Sequence, residues 1–209
     1  MRIVIISPND IEYGGGGEYW IFNIARLLAL RGDKVEIITH RHNPVGKDIG
    51  LTKKLSKLGV KHIRVDYIRT YYGSTIMHPK HIPLIYRRLG QSDVAYILST
   101  PPCDLYYYII LHRSNLIRKI IYGYHAFPDV RRTFDRAYVK YIMRFFVRSV
   151  GAIHVLNHYT YRLMINLNPK YKHRIHYIPN GVDPELFRFD RDANSGETSI
   201  ILYCGSFEF

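Results

Sequence analysis

Acidic side chains are scarce in this sequence: 17 Asp and Glu stand against 30 Lys and Arg, a formal net charge of +13 over 209 residues. That excess implies attraction to something anionic, whether nucleic acid, an acidic membrane surface or a phosphorylated substrate. Cysteine is scarcer still. Cys103 and Cys204 stand far apart and make no metal-ligand spacing, which excludes a disulfide framework and suits free, buried thiols in a reducing compartment. No apolar run reaches the roughly 18 residues that cross a bilayer. No pattern of charged, apolar and cleavage regions opens the chain at Arg2, so a cytoplasmic protein is expected. Disorder is excluded by the apolar content of 47% and aromatic content of 14%. A chain of this length buries roughly 70% of its unfolded surface, enough for one domain with an appendage.

What is present is an alternation. Short runs rich in β-branched and aromatic residues, "RIVIIS", "KVEIITH", "KHIRV", "DVAYIL", "KIIYGY", "GAIHVL" and "HYIP", are separated by longer amphipathic stretches. This pattern predicts an α/β fold: a Rossmann-like parallel sheet with right-handed crossovers and helices on both faces. Ile21, Ile24, Ala25 and Leu28 form an apolar stripe that predicts a helix over Glu18 to Arg31, stopped by Gly32.

The four successive glycines of "SPNDIEYGGGGEYW" therefore join the first strand to the first helix. Ligands of open α/β sheets bind at the carboxyl ends of strands, where a helix N-terminus offers unpaired N–H groups to an anion. A phosphate is one reason for a bare backbone there, and a flexible spacer is the alternative. The stretch is not a dinucleotide fingerprint, because the third glycine of G-x-G-x-x-G falls on Tyr19 or Trp20. The second strand also runs into Thr39, His40 and Arg41 where a ribose-binding acid is needed, and no G-K-[ST] follows to make a P-loop. Glu18 reads as an acid complementing the helix dipole. His125, in "YGYHAFPDV", falls at another strand end on the same rim. "IPNGVD" carries an Asn-Gly turn signal that favours positive φ. The segment Tyr67 to Pro83 reads as an aromatic, basic loop suited to an acceptor phosphate or a sugar face. After "PELFRFDRDANSGETS", "IILYCGSF" starts a fresh strand. The expected organisation is a first domain over 1–189, a linker over 190–198, and the first strand of a second domain over 199–209.

Together "YGGGGEYW", "YGYHAF", "GAIHVLNHYTYRLM", "IPNGVD" and "IILYCGSF" resemble the N-terminal half of a family 4 glycosyltransferase with the two-domain GT-B architecture. The resemblance spans essentially the whole chain, with "IPNGVD" its most specific element. It implies transfer of a sugar from a nucleotide-sugar donor to an acceptor sugar or lipid-linked glycan, with retention of anomeric configuration and without a metal or other cofactor. It implies that Gly15, Gly16 and Gly17 lie near the donor diphosphate, that His125 is the catalytic-site histidine beside the donor sugar, and that Asn180 and Gly181 shape the cleft edge. Asn157 stands where a serine is common, and either can cap the following helix. Ser206 stands where many members carry a diphosphate-gripping basic residue. Since the donor half falls largely beyond Phe209, the chain alone is expected to be inactive.

The residues allow three rival readings. "FDRD" supplies Asp190 and Asp192 for a metal-dependent single-domain transferase, but in a linker-like segment. A basic nucleic-acid-binding domain would explain the charge, yet no helix-turn-helix, zinc-finger or RNP-like motif occurs, and no nucleic-acid partner is expected. A catalytically dead glycan-binding relative is the third. "HRH", "HPKH" and "HRIH" lack cysteines or acids at zinc spacing and read as surface or local packing residues. Last, Arg132, Arg136, Lys140, Arg144 and Arg148 recur every four residues, a basic stripe on a helix with Phe134, Tyr138, Tyr141, Ile142 and Phe145 on other faces. The stripe is either a solvated face or a membrane-facing one, which would hold the protein on the inner face of the cell membrane beside a lipid-linked acceptor.

Overall fold

A computed structural model describes residues 1–43, 46, 48–71, 74–98, 104–112, 114–125 and 138–181. The chain divides into one compact unit, Met1–Pro179, and a second, Asn180–Phe209. Of the second unit only Asn180 and Gly181 are described, so the expected linker over 190–198 and strand over 199–209 lie outside the described residues. Cys103, Cys204, Arg132, Arg136, Asp190, Asp192 and Ser206 lie outside them too.

The seven expected strands all form. They are β1 (Arg2–Ser7), β2 (Lys34–His40), β3 (Lys61–Val65), β6 (Val94–Leu98), β7 (Ile120–Tyr124), β8 (Ala152–Val155) and β9 (Ile175–Tyr177). They pair in parallel in the order β3-β2-β1-β6-β7-β8-β9. Because both faces are covered, strands such as β1, buried from Ile3 through Ser7, read as continuous apolar runs instead of alternating ones. The described helices are α1 (Gly16–Leu30), α2 (Leu51–Ser56), α3 (Ile82–Gln91), α4 (Asp104–Leu111), α5 (Met143–Ser149) and α6 (His158–Leu167).

Two cores result, one per face. On one, Ile21 and Ala25 of α1 and Leu51 and Leu55 of α2 pack on Ile3, Ile5, Val35 and Ile37. On the other, Ile85 and Leu89 of α3, Leu111 of α4, Met143, Phe146 and Val147 of α5 and Met164 of α6 pack on Val4, Ile6, Ile97, Tyr122 and Ile153. Each fully buried aliphatic side chain contributes about 1.5–3 kcal/mol. The chain winds outward in one direction from β1 and in the other from β6, so the crevice between those neighbours, at their carboxyl ends, is the topological switch point.

Three expectations are corrected. Helix α1 begins at Gly16, two residues before the expected Glu18, so two of the glycines are its first turn. The segment expected as a loop, Tyr67 to Pro83, holds an antiparallel hairpin of β4 (Tyr67–Tyr71) and β5 (Ser74–Met77) before a 3₁₀ turn at Pro79–His81. Thr75 and Met77, two apart, are both buried, and that period-two burial fixes the strand. In the described part of the basic stripe, a π-helical turn over Tyr138–Ile142 leads into α5. Tyr141 and Phe145, expected away from the basic residues, are 57% and 51% exposed beside exposed Lys140, Arg144 and Arg148. The core needs only Met143, Phe146, Val147 and Val150, a narrow stripe that leaves the rest of the helix to solvent. No helix among the described residues is long and apolar enough to cross a membrane.

Candidate functional site

Three of the four glycines are used by the fold itself. Gly14 has φ of 75°, and a Cβ there would lie 2.8 Å from Ile49 Cδ1. Gly15 caps α1, and its Cβ would lie 2.5 Å from Glu18 Oε2. Gly17 lets α1 settle on the end of β6, with its Cβ position 3.3 Å from Leu98 Cδ2. Gly16 is different. It is exposed, it does not take positive φ, and a Cβ there would meet nothing within 4 Å. As the first residues of the helix, Gly16 and Gly17 have N–H groups with no acceptor among the described residues.

Glu18 sits at the third helical position, buried, with Asn9 Nδ2 donating to Oε1 at 3.2 Å. Burial raises its pKa, while hydrogen bonds from its own N–H, Asn9 and the Gly15 N–H work against that rise. The side chain therefore turns back on its own helix start, as a dipole-complementing acid does.

Behind the glycines the carboxyl ends of β6, β7 and β8 carry an aromatic cluster. Tyr96 pairs with Ile121, and His154 pairs with Gly123 two residues further along the same strand, so Tyr96, Gly123 and His154 share one face. The tyrosine runs diagonally over the bare glycine, whose Cβ would lie 1.8 Å from Tyr96 Oη. Its hydroxyl meets His125 Nε2 at 2.8 Å and His154 Nδ1 at 2.7 Å. His154 Nε2 donates to the Ile178 carbonyl at 2.8 Å. Trp20 of α1 closes the cluster, with its ring centroid 4.7 Å from that of His125 and 4.9 Å from that of Tyr96. Burial, reinforced by neighbouring His154, lowers the His125 pKa to about 3. Burial also lowers that of His154 and raises that of Tyr96, so all three rings are neutral near pH 7. His125 is thus a hydrogen-bonding group and not a strong base.

The loop between β1 and α1 is anchored from below. Asp10 Oδ1 caps the 3₁₀ turn Ile11–Tyr13 through the Glu12 N–H at 3.0 Å, and Asp10 Oδ2 takes a 2.5 Å bond from Arg64 Nε. Buried Glu12 accepts from the N–H groups of Ile49, Leu51 and Thr52 at 3.0, 3.2 and 2.6 Å. Burial alone would raise its pKa, but the side chain and N–H of Thr52, the Leu51 N–H and the Asp48 side chain prevail and hold it at about 2. His62 bridges Thr39 and Thr52 at 2.8 and 2.9 Å. Fully buried His40 joins Thr75 and Tyr107, and Thr75 donates in turn to the Pro8 carbonyl at 2.5 Å. The "HRH" and "HPKH" histidines are thus local packing and hydrogen-bonding residues, as expected. His78 caps the turn Pro79–His81, and His81 Nε2 accepts from the Asp66 N–H at 3.1 Å.

Gly15, Gly16, Gly17 and His125 lie on one rim, since Trp20 of the helix that starts at Gly16 packs on His125 just past the end of β7. Asn180 and Gly181 open the second unit, both exposed, and Gly181 does not take the positive φ that its Asn-Gly pair suggests. Asn157 caps α6 as expected, its Oδ1 accepting from the Thr160 N–H at 2.7 Å. Tyr96, His154 and Trp20 were not found by sequence reasoning. The signal for them was Gly123 inside the strand "IIYGY", where a missing side chain marks close approach by another group. A cavity of about 610 Å³ lies at the opposite edge of the sheet, around Arg2, Lys34, Lys61 and Arg88, away from the switch point where ligands of such sheets bind.

No curated protein matches the chain. Among solved structures it is similar to an alpha-glucosyltransferase in complex with UDP and a 13-mer DNA containing a central A:G mismatch. That likeness has 16% identity and a TM-score of 0.44, and covers 74% of this chain and 37% of that one. It is also similar to an oxidoreductase from Escherichia coli str. K-12, at 16% identity and a TM-score of 0.44 over 75% of each chain. A short-chain dehydrogenase/reductase from Sinorhizobium meliloti 1021 follows, at 14% identity and a TM-score of 0.41 over 75% of this chain and 78% of that one. Scores of this size carry no argument about chemistry, and the chain spans well under half of the glucosyltransferase. Sequence is more decisive: the pattern of Glycosyltransferase Family 4 matches residues 14–186, from the first glycine of the loop to beyond "IPNGVD", and the chain belongs to that family.

Proposed function

We propose that the protein takes part in transfer of a sugar from a nucleotide-sugar donor to an acceptor, with retention of configuration and no bound metal, and that the rim of Gly16 and His125 faces the donor. The observation that carries this reading is Gly16. The fold uses the bareness of Gly14, Gly15 and Gly17, but nothing among the described residues requires a glycine at 16. A diphosphate at the helix start would require it, because backbone N–H groups reach an anion only where no side chain intervenes. Pre-oriented donors of this kind stabilise a departing diphosphate by several kcal/mol. His125 supplies a neutral hydrogen-bonding group one aromatic ring away, beside the donor sugar, and Asn180 and Gly181 form the cleft edge. On this reading residues 1–179 are one wall of the cleft, and turnover needs a second.

The acceptor in this proposal is a lipid-linked glycan on an anionic membrane surface. Support comes from the +13 net charge and from the exposed face of Lys140, Tyr141, Arg144, Phe145 and Arg148, which sets cations beside aromatic rings as interfacial helices do. Calorimetric titration with nucleotide sugars tests the donor site. Gly16→Val is expected to weaken binding at least about tenfold, or 1.4 kcal/mol, with the fold intact. Equal affinity in variant and parent would return the loop to a spacer.

A further inference from the structure

The hydrogen bonds around His125 have only one consistent direction. The Ile178 carbonyl can only accept, so His154 Nε2 carries its proton and donates at 2.8 Å. A neutral His154 then has a bare Nδ1, which accepts the Tyr96 hydroxyl proton at 2.7 Å. With that proton committed, the Tyr96 oxygen can only accept from His125 Nε2–H at 2.8 Å. One acceptor remains unused: a neutral His125 protonated at Nε2 has a bare Nδ1, and among the described residues that nitrogen has no partner. The neutral state of both rings follows from burial, reinforced at His125 by His154, with ring centroids 5.1 Å apart, and at His154 by His176. Trp20, edge-on to His125 at 88°, and Gly123, which admits the tyrosine, hold the geometry.

We propose that Tyr96 and His154 are positioning residues that lock His125 in its Nε2–H form, so that it presents to the substrate a hydrogen-bond acceptor matched to a sugar hydroxyl. The proposal rests on the donor-site reading for the identity of the ligand, but the relay stands on its own distances. It deepens that reading into a rule of selectivity. A bare ring nitrogen accepts from a hydroxyl and is mismatched to an ether, a fluorine or a phosphate oxygen, each of which offers no proton. Donor sugars with a free hydroxyl facing His125 are therefore accepted, and analogues with that hydroxyl removed, methylated or replaced by fluorine are rejected by tenfold or more. The relay also starts at Ile178, two residues before the Asn180–Gly181 pair, so the backbone that leads into the second unit sets the first proton in the series.

Long-range ¹H–¹⁵N correlation spectra of the uniformly labelled full chain read the tautomers directly, because protonated and bare ring nitrogens resonate far apart. Near neutral pH, His125 and His154 are both expected with Nε2 protonated and Nδ1 bare, with assignments from His125→Gln and His154→Asn. Tyr96→Phe keeps the ring but removes the hydroxyl, and is expected to abolish the single-tautomer pattern of His125. His154→Leu is expected to do the same, while His154→Asn, whose Oδ1 can accept from Tyr96, retains the His125 pattern. His125 protonated at Nδ1 in the parent, or unchanged by Tyr96→Phe, overturns the relay whatever binds. UDP-glucose and GDP-mannose are then added separately to the parent. A shift of His125 Nδ1 with either supports the substrate-facing role, whereas the assigned tautomers unmoved by both refute that role and leave the relay standing.

Discussion

Adding a single methyl group at Gly123 is expected to dismantle the aromatic cluster. An alanine Cβ there would lie 1.8 Å from Tyr96 Oη, 2.3 Å from Cζ and 2.6 Å from Cε1. Ordinary contact needs well over 3 Å, so the ring must move by more than about 1 Å. It cannot retreat freely, because Trp20 stands against its other side with centroids 4.9 Å apart. Displacement breaks the hydroxyl bonds to His125 and His154, worth about 1 kcal/mol each, and overpacking costs about 1–3 kcal/mol more. The expected loss is about 3–5 kcal/mol, a large share of the 5–15 kcal/mol that typically stabilises a domain. Urea denaturation measures it as a lowered midpoint at constant slope. The control is Gly16→Ala, whose Cβ enters open space and should leave the midpoint near that of the parent. In a Tyr96→Ala background the clash has no partner, so Gly123→Ala should cost under about 1 kcal/mol there, a coupling of at least about 2 kcal/mol. Additive costs, or a Gly123→Ala midpoint equal to the parent's, would refute the argument.

Stability should fall as the solution becomes acidic from about pH 6.5. His40 and His125 are held near 3 and His62 near 4, against an ordinary 6.5, all chiefly by burial. Below 6.5 the unfolded chain binds protons that the folded chain refuses, so each ring removes about 1.4 kcal/mol per pH unit down to its folded pKa. Thermal unfolding against pH should show that slope flatten in His40→Gln, and an unchanged slope would contradict the buried neutral state. Changing Lys140, Arg144 and Arg148 together to Glu should reduce sedimentation with acidic liposomes by roughly a hundredfold in partitioning, from about 1 kcal/mol per cation. Equal binding of variant and parent would leave that face as solvated surface.

Most of the sheet was legible because its strands are buried on both faces. "RIVIIS" and "KVEIITH" have no competing interpretation once turn residues bound them, and both match β1 and β2 residue for residue. The start of α1 is not legible because Gly16 and Gly17 are poor helix formers, and the packing of Gly17 on Leu98 is a tertiary contact. The hairpin of β4 and β5 has no local sequence trace, since its anchor, Thr75 between His40 and Pro8, is a tertiary contact. The glycine rim and His125 could be read from their places at strand ends. Tyr96 and His154 could not, because their meeting depends on parallel register across three strands, which periodicity does not encode. Glu12 was invisible for the same reason: its N–H partners come from the start of α2, far along the chain.

The central claim is that a nucleotide sugar engages the carboxyl edge of the sheet at Gly16 and His125. Mapping of backbone amide shifts as UDP-glucose or GDP-mannose is added to the labelled chain tests it most directly. The account predicts the largest changes at Gly15, Gly16, Gly17, Trp20 and His125. Changes confined instead to the opposite edge, around Lys34, Lys61 and Arg88, would contradict it, as would no change with either compound.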